Sequence, residues 1–323
     1  MRAPDFWSDN GPLPALLAPL GAGYDLAGRL RRALVRPVAV PVPVVCVGNL
    51  VAGGAGKTPV ALALLTALSA RGHRPHALTR GYGGRSAGPL QVDPARHDFA
   101  QVGDEALLLA RAAPTWVARD RVAGARATVA AGADSIVMDD GFQNPSLAKD
   151  LSLLVVDGAY GFGNARVMPA GPLRERIEAG LVRADAVVVL DPDAGGLAAQ
   201  LGPRTQVLRA RLAPSLKAAR LAGRRVLAFA GIGRPQKFFT SLAALGAEVV
   251  EHRAFPDHHP YDRREIEALL ARARDQDAVA VTTEKDAVRI PPDLTDRIEV
   301  VAAAIEWHEP EALAALLDRL PSP

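Results

Sequence analysis

Cysteine is almost missing: Cys46 is the single one in 323 residues. That excludes an intrachain disulfide and any cysteine-built metal cluster, and it fits a reducing cytoplasm. Long apolar runs are missing too. The most apolar stretch, "VAVPVPVVCV", is interrupted by Pro41 and Pro43 and is too short to span a bilayer. Arg2 is followed by Asp5 and Asp9 with no uninterrupted apolar run and cleavage site, so no signal peptide is expected. There are no internal repeats and no long polar tracts, which excludes a solenoid and a disordered chain. Lysine is scarce, five residues against 33 arginines, although the net charge is only +3.

What is present describes a globular protein, 49% apolar and 23% charged. It is large enough for two domains, or for one large α/β domain with additions. The arginines begin early. "RLRRALVR" places Arg29, Arg31, Arg32 and Arg36 just after Leu13, Leu16, Leu17 and Leu20, which recur at i, i+3, i+4, i+7. Such a segment lies on an anionic membrane surface or packs as an ordinary surface helix. Pro14 and Pro19 weaken a continuous helix through it.

From residue 44 onward, short β-branched runs alternate with helical patterns. "PVPVVCVGNL", "HALTR", "TWVA", "SIVMDD", "LSLLVVD" and "ADAVVVLD" read as strands, and helices are expected over 57–71, over 104–111 and in "RDRVAGARATVAAG". This predicts a parallel sheet with helices on both faces. After the Gly- and Pro-rich "DPDAGGLAAQLGP", a second α/β unit starts with "RRVLAFAGI". The expected division is an amphipathic segment over 1–36, a phosphate-loop domain over 37–203 and a smaller α/β domain with linker strands over 204–323. "TQVLRARL" and "IEVVAAA" are candidates to pair across that boundary.

The chemistry concentrates after the first strand. Val51, Ala52, Gly53, Gly54, Ala55, Gly56, Lys57 and Thr58 match the phosphate-loop pattern G-x-x-x-x-G-K-T except at its first position. The groups that do the binding are all there. Glycines let backbone N–H groups approach phosphate oxygens, Lys57 reaches the β and γ phosphates, and Thr58 ligates Mg²⁺ at a helix N-terminus. Pro59 suits the first turn of the helix. A metal-holding acid belongs at the end of a buried strand. Asp139 and Asp140 stand there in "SIVMDD", where they either hold the cation or cap a turn with Gly141. Asp104 in "QVGDEALLLAR" is either an N-cap or the base that takes a proton from an acceptor hydroxyl. His258 and His259 in "FPDHHPY" are either part of that site or a surface turn.

The ordered series "GNLVAGGAGKTP", "TRGYGG", "VGDE", "DDGFQ", "PAGPLRE", "FAGIGRPQKFF", "FPDHHPY" and "TTEKDAVR" resembles the tetraacyldisaccharide 4'-kinases, the lipid A kinases of Gram-negative bacteria. The resemblance runs from the first strand to about residue 290. It implies a P-loop NTPase-like α/β kinase domain followed by a smaller α/β domain, with the active site in the cleft between them. It implies transfer of the γ-phosphate of ATP, with Mg²⁺, to the 4'-hydroxyl of a tetraacylated glucosamine disaccharide 1-phosphate, giving lipid IVA. Lys57 and Thr58 match the triphosphate and Mg²⁺ residues, and Asp139 and Asp140 the metal-side acids. Asp104 matches the proton acceptor, His258 its supporting histidine, and Arg174 and Glu175 residues that line the site. Arg80 is a further candidate for anion contact. The family's histidine after "DDGFQ" is Asn144 here, which is left out of the site.

With the resemblance, the Leu/Arg segment becomes a monotopic anchor on the cytoplasmic face of the inner membrane, in a monomer with no nucleic-acid partner. A P-loop GTPase is disfavoured, because none of Lys57, Lys149, Lys217, Lys237 and Lys285 is followed two residues later by Asp, as guanine reading by Asn-Lys-x-Asp requires. A kinase of a soluble metabolite would not need the Leu/Arg segment, and a nucleotide-gated binding protein without turnover would need neither Asp104 nor His258.

Overall fold

The computed structural model describes residues 4–202 and 205–321. Among these residues, thirteen strands divide between two sheets. They are β1 (Val44–Gly48), β2 (Pro75–Thr79), β3 (Leu90–Gln91), β4 (Thr115–Val117), β5 (Ser135–Asp139), β6 (Leu151–Asp157), β7 (Ala186–Leu190), β8 (Val207–Pro214), β9 (Arg225–Ala230), β10 (Glu248–Ala254), β11 (Val279–Thr283), β12 (Glu299–Val301) and β13 (Ala303–Trp307). The large sheet has the order β13-β8-β7-β6-β1-β5-β2-β4-β3 and is parallel from β8 to β4, with antiparallel strands at both edges. The small sheet, β10-β9-β11-β12, is parallel throughout.

Parallel strands are buried on both faces, which is why β1, β5 and β7 are apolar almost without alternation. One face of the large sheet packs on the Lys57–Ser69 helix through Val60, Leu64 and Leu68, and on the Pro310–Leu317 helix through Leu313, Leu316 and Leu317. The other face holds Ala125 of the Arg121–Ala130 helix together with Phe142, Leu147 and Leu173. In the small sheet, Phe238, Phe239 and Leu242 cover one face and Ile266, Leu269 and Leu270 the other.

The segment 204–323 serves both sheets. β9 to β12 build the small one, while β8, β13 and the last helix join the large one. β8 and β13 pair antiparallel from Ala303 opposite Pro214 to Trp307 opposite Ala210, so the chain crosses between the sheets twice, side by side.

The N-terminal Leu/Arg segment is one uninterrupted helix, Pro12–Leu34, despite its prolines. Pro12 and Pro14 fall in the first turn, where N–H groups have no intrahelical acceptor. Only Pro19 forfeits an interior bond. Packing offsets that loss: Gly21 sits so close to the loop ahead of Arg174 that a Cβ there would lie 2.6 Å from the Val167 carbonyl oxygen. Asp25 is buried beside it and accepts from the Arg176 N–H at 3.4 Å. The opposite face carries Leu13, Leu16, Leu20, Tyr24, Leu30 and Leu34 into the open, with Leu16 at 76% and Leu34 at 82% exposure. Among the described residues, no helix is long and apolar enough to cross a membrane.

Gly21→Val should therefore lift this helix from its seat. Overpacking of this kind costs about 1–3 kcal/mol, and limited trypsin digestion should show faster cutting after Arg29 and Arg31. An unchanged cutting rate would show that the close approach at Gly21 does not hold the helix.

Candidate active site

The phosphate-loop sequence leaves β1 and enters the Lys57–Ser69 helix. Its first position is valine because the backbone there is extended and paired. Val51 bridges Leu173 in antiparallel fashion, the Ala52 N–H donates to the Pro172 carbonyl at 2.8 Å, and the Arg174 N–H donates to the Leu50 carbonyl at 2.7 Å. A β-branched residue suits such a pairing. Asn49 adds a bond from its amide nitrogen to the Val51 carbonyl at 2.6 Å. Glycine is demanded farther on. Gly56 has φ +84, and a Cβ on it would strike the Leu190 side chain. Gly53 has φ +117, and nothing lies near the Cβ positions of Gly53 and Gly54, so this stretch of backbone is open to a ligand.

Register delivers the acids. β1 and β5 are parallel neighbours with Val47 opposite Asp139, so Asp139 ends its strand where the loop begins. It is buried, and one carboxylate oxygen accepts from the Thr58 hydroxyl at 3.0 Å. The other, Oδ1, is buried without a hydrogen-bond partner. Burial, reinforced by the nearby Glu105 carboxylate, pushes the Asp139 carboxyl up to about 7 against the pull of Lys57. An orphaned buried carboxylate oxygen beside a hydroxyl fits a divalent cation. Among the described residues, no group of three or more His, Cys, Asp or Glu gathers as a ligand cage. A Mg²⁺ site needs no such cage, since it takes one or two protein oxygens plus phosphates. Thr58 and Asp139, with Asp140 beside them, are the residues suited to hold it.

Asp140 adopts φ +53, a left-handed conformation that Asp tolerates better than most residues. Its carboxylate meets Lys57 Nζ at 3.6 Å and Arg174 Nη1 at 2.9 Å. Burial opposes its ionisation, but Lys57 and Arg174 more than offset that and hold it below the usual carboxylate range. Glu175 is buried, its carboxylate bound by Gln143 at 3.1 Å, Arg32 at 3.2 Å and Arg183. Gln143 also donates to the Asn49 carbonyl at 2.9 Å. Loop, acids and N-terminal helix thus share one polar network. Asn144 stands outside it, its amide oxygen accepting from Ser146.

A second cluster forms where the small sheet meets the large one. Asp104 opens the Asp104–Ala110 helix and is 3% exposed. One oxygen accepts from the Glu105 N–H at 2.9 Å, and the other lies 2.8 Å from His258 Nδ1, so the two residues separated by 154 positions are in contact. Burial works against ionisation of Asp104, but the His258 hydrogen bond and the charges of Lys285, His258 and Arg289 hold its carboxyl low. His258 has φ +60 and its N–H donates to the Gly231 carbonyl. Strained backbone of this kind concentrates at functional sites. His259 turns away, bonded to Glu265 at 3.1 Å and stacked on Phe255. Of the adjacent histidines, His258 is the one at Asp104.

Sequence reasoning missed Gln143 and Lys285 as individual site residues although both lie within quoted motifs. It also missed Arg32 and Arg183, whose partnership with Glu175 no spacing announces. Arg80 is exposed just past β2. It is near Arg121, a buried arginine brought down to about 10 by burial first, with Arg80 adding to the effect and Asp140 opposing it.

Comparison with known proteins follows the same lines. The family model described as tetraacyldisaccharide-1-P 4'-kinase matches residues 13–321. A tetraacyldisaccharide 4'-kinase of Paramagnetospirillum magneticum is 56% identical over 321 residues, 99% of each chain. One of Rhodospirillum centenum is 57% identical over 323 residues, 98% of this chain and 96% of the other. A crystal structure of the "apo" form of LpxK from Aquifex aeolicus in complex with ATP superposes with a TM-score of 0.79 at 27% identity, covering 95% of this chain and 99% of that one.

The raised carboxyl of Asp139 makes a stability prediction. A group raised on folding from 3.8 to about 7 favours the folded state fully only below its unfolded value, and that favour is lost as pH rises through the folded value. Cation-free protein should lose stability to denaturant between those two pH values. Asp139→Asn should flatten this dependence, and Mg²⁺ should stabilise the wild type at pH 8 more than the variant. Parallel pH curves for the two proteins would contradict the assignment.

Proposed function

The chain belongs to the tetraacyldisaccharide-1-P 4'-kinase family, and from that membership we propose how its residues divide the work of the reaction. The protein is a kinase of lipid A biosynthesis that uses ATP and Mg²⁺ to phosphorylate the 4'-hydroxyl of tetraacyldisaccharide 1-phosphate, giving lipid IVA. The 4' oxygen forms a bond to the γ-phosphorus while the bond from that phosphorus to the β,γ-bridging oxygen breaks. ADP leaves with the electron pair, and the hydroxyl proton goes to a base.

In this reading the backbone of residues 51–56 cradles the phosphates, and Lys57 supplies charge at the β and γ positions. Mg²⁺, when bound by Thr58 and Asp139 with Asp140 beside it, supplies the remaining charge neutralisation. Arg174, held on Asp140, faces the same centre. Glu175 acts as a positioning residue through Arg32, Arg183 and Gln143. Asp104 takes the hydroxyl proton, and His258 orients it.

The observation that carries the base assignment is the 2.8 Å contact of Asp104 with His258, which joins a helix of the large sheet to a loop of the small one. It supports a division into a phosphate-loop lobe and a smaller lobe that closes over it. A second ion cluster along the same seam, Asp157 with Arg234 at 2.8 Å and Lys237 at 2.6 Å, supports the closure. The soluble-metabolite alternative has no use for the outward leucine face of the N-terminal helix. With the exposed Arg31 on its flank, that face supports seating on the cytoplasmic leaflet of the inner membrane, and we read the protein there as a monomer.

Labelled γ-phosphate should pass to tetraacyldisaccharide 1-phosphate in detergent or lipid. Asp104→Asn should lower kcat by roughly 10²–10⁴-fold with little change in the KM for ATP, and unchanged turnover would remove Asp104 as the base. Replacing Leu16 and Leu20 by Asp should release the protein from sedimenting phosphatidylglycerol vesicles. Binding of the double variant at wild-type levels would place the docking face elsewhere.

A further inference from the structure

Asp157 takes no part in the chemistry as described so far. It ends β6, the strand beside β1 in the large sheet, and its side chain is 12% exposed. One carboxylate oxygen accepts from the Ala159 N–H at 3.0 Å. The other accepts from Arg234 Nη1 at 2.8 Å and from Lys237 Nζ at 2.6 Å. Both cations come from the small sheet's side of the seam. Lys237 lies in the Pro235–Ala244 helix, whose Phe238, Phe239 and Leu242 cover that sheet, and Arg234 immediately precedes it. The Arg234 guanidinium also lies over the Tyr160 ring, 4.8 Å from its centroid. An exposed ion pair contributes little. Here two cations share one oxygen of a largely buried carboxylate, the other oxygen is fixed by backbone, and the arginine has an aromatic seat.

The loop that these contacts hold is the one that supports His258. Residues 231–234 join β9 to the helix. At one end the Gly231 N–H donates to the buried Asp286 at 2.8 Å, and the Gly231 carbonyl accepts from the His258 N–H at 3.1 Å and from Arg289 at 3.0 Å. A Cβ on Gly231 would lie 3.0 Å from both the Pro256 carbonyl oxygen and the Tyr261 hydroxyl, so the loop is tight against the histidine segment. At the other end Arg234 is held by Asp157, on the body that carries Asp104. Strand order gives this anchor its leverage. The crossing strands β8 and β13 stand at one edge of the large sheet, the Asp104–Ala110 helix packs on β2 and β4 toward the opposite edge, and β6 with Asp157 lies between them.

We infer that Asp157 is a positioning residue for the transfer: through Arg234 and Lys237 it docks the loop beneath His258 on the large sheet, and so keeps His258 in reach of Asp104. It acts through the loop and not on the phosphates or the acceptor. The inference rests on the proposed closure of the smaller lobe and on Asp104 as the base, and it adds which carboxylate holds that lobe in place.

Cys46 is buried and its thiol is pushed up to about 12 by that burial, so spin labels on the full chain go to cysteines introduced at the exposed Ala95 and Arg274, one on each body. With Mg²⁺ and a non-hydrolysable ATP analogue, double electron–electron resonance should give one narrow distance, and Asp157→Asn should add a second, longer population. In unlabelled protein Asp157→Asn should lower kcat about fivefold, and Asp157→Glu should restore most of it. Arg234→Gln combined with Lys237→Gln should do the same, and the triple variant should lose no more than either, because all three substitutions remove one contact. A single unchanged distance in Asp157→Asn, or losses that multiply in the triple variant, would overturn the inference. If Asp157→Asn does not fold, the protein carrying Arg234→Gln and Lys237→Gln, changed only at exposed side chains, decides by the same distance and kcat. Full turnover in Asp104→Asn would instead remove the base assignment and leave the distance measurement to decide on Asp157.

Discussion

The parallel pairing of β1 with β5 is the constraint on which the rest depends. It sets Val47 opposite Asp139, so one strand end launches the phosphate loop while its neighbour delivers a carboxylate to the Thr58 hydroxyl. Slippage by one residue would turn Asp139 to the other face of the sheet and break the contact. The apolar cores on both faces, built from Val45, Leu64 and Val137 on one side and Cys46, Ile136 and Met138 on the other, hold that register. The energy that fixes two polar groups comes from the dozens of apolar atoms around them.

The second half of the site is assembled differently. Asp104 comes from the large sheet, His258 and Lys285 from the small one, and no strand pairing joins the two at that point. Their meeting depends instead on the buried Asp286, whose carboxylate accepts from the Gly231 N–H and the Tyr261 hydroxyl at 2.8 Å and from the Thr283 hydroxyl at 2.6 Å, while the Gly231 carbonyl accepts from the His258 N–H, so the His258 loop and the residues that carry Lys285 belong to one body. The paired crossing strands β8 and β13 then set how that body meets the first. Charge balance differs accordingly between the halves. At the phosphate loop Lys57 and Arg174 converge on Asp140 and leave Asp139 without an ion pair, whereas at the seam Lys285 Nζ lies 3.5 Å from His258 Nε2 and 3.9–4.0 Å from the Asp104, Asp257 and Glu105 carboxylates.

The phosphate loop, the alternation of strands and helices, and the acids at the end of β5 were readable because each is local: a glycine spacing, a β-branched run, a strand end. Val51 was readable only as a departure, since its reason lies in Leu173, far along the chain. Pro14 and Pro19 suggested a weakened helix because the sequence does not reveal that one falls in the first turn and that packing at Gly21 makes up for the other. The choice between His258 and His259 depended on the direction of each ring, a tertiary property. Arg32 and Arg183 gave no signal, because an arginine bound to a buried glutamate looks like any surface arginine until the fold encloses it. The resemblance to known kinases supplied the pairing of Asp104 with His258, which spacing by itself did not.

The N-terminal helix has a consequence for handling the protein. Arg32 on that helix holds Glu175, Glu175 holds Gln143, and Gln143 holds both the Asn49 carbonyl and, at 3.5 Å, Arg174. The inward side of the helix is therefore tied to the backbone just ahead of the phosphate loop, whatever its leucine face meets outside. Trimming it away to obtain a more tractable protein would leave a buried carboxylate short of a cation, one step from the arginine that steadies Asp140.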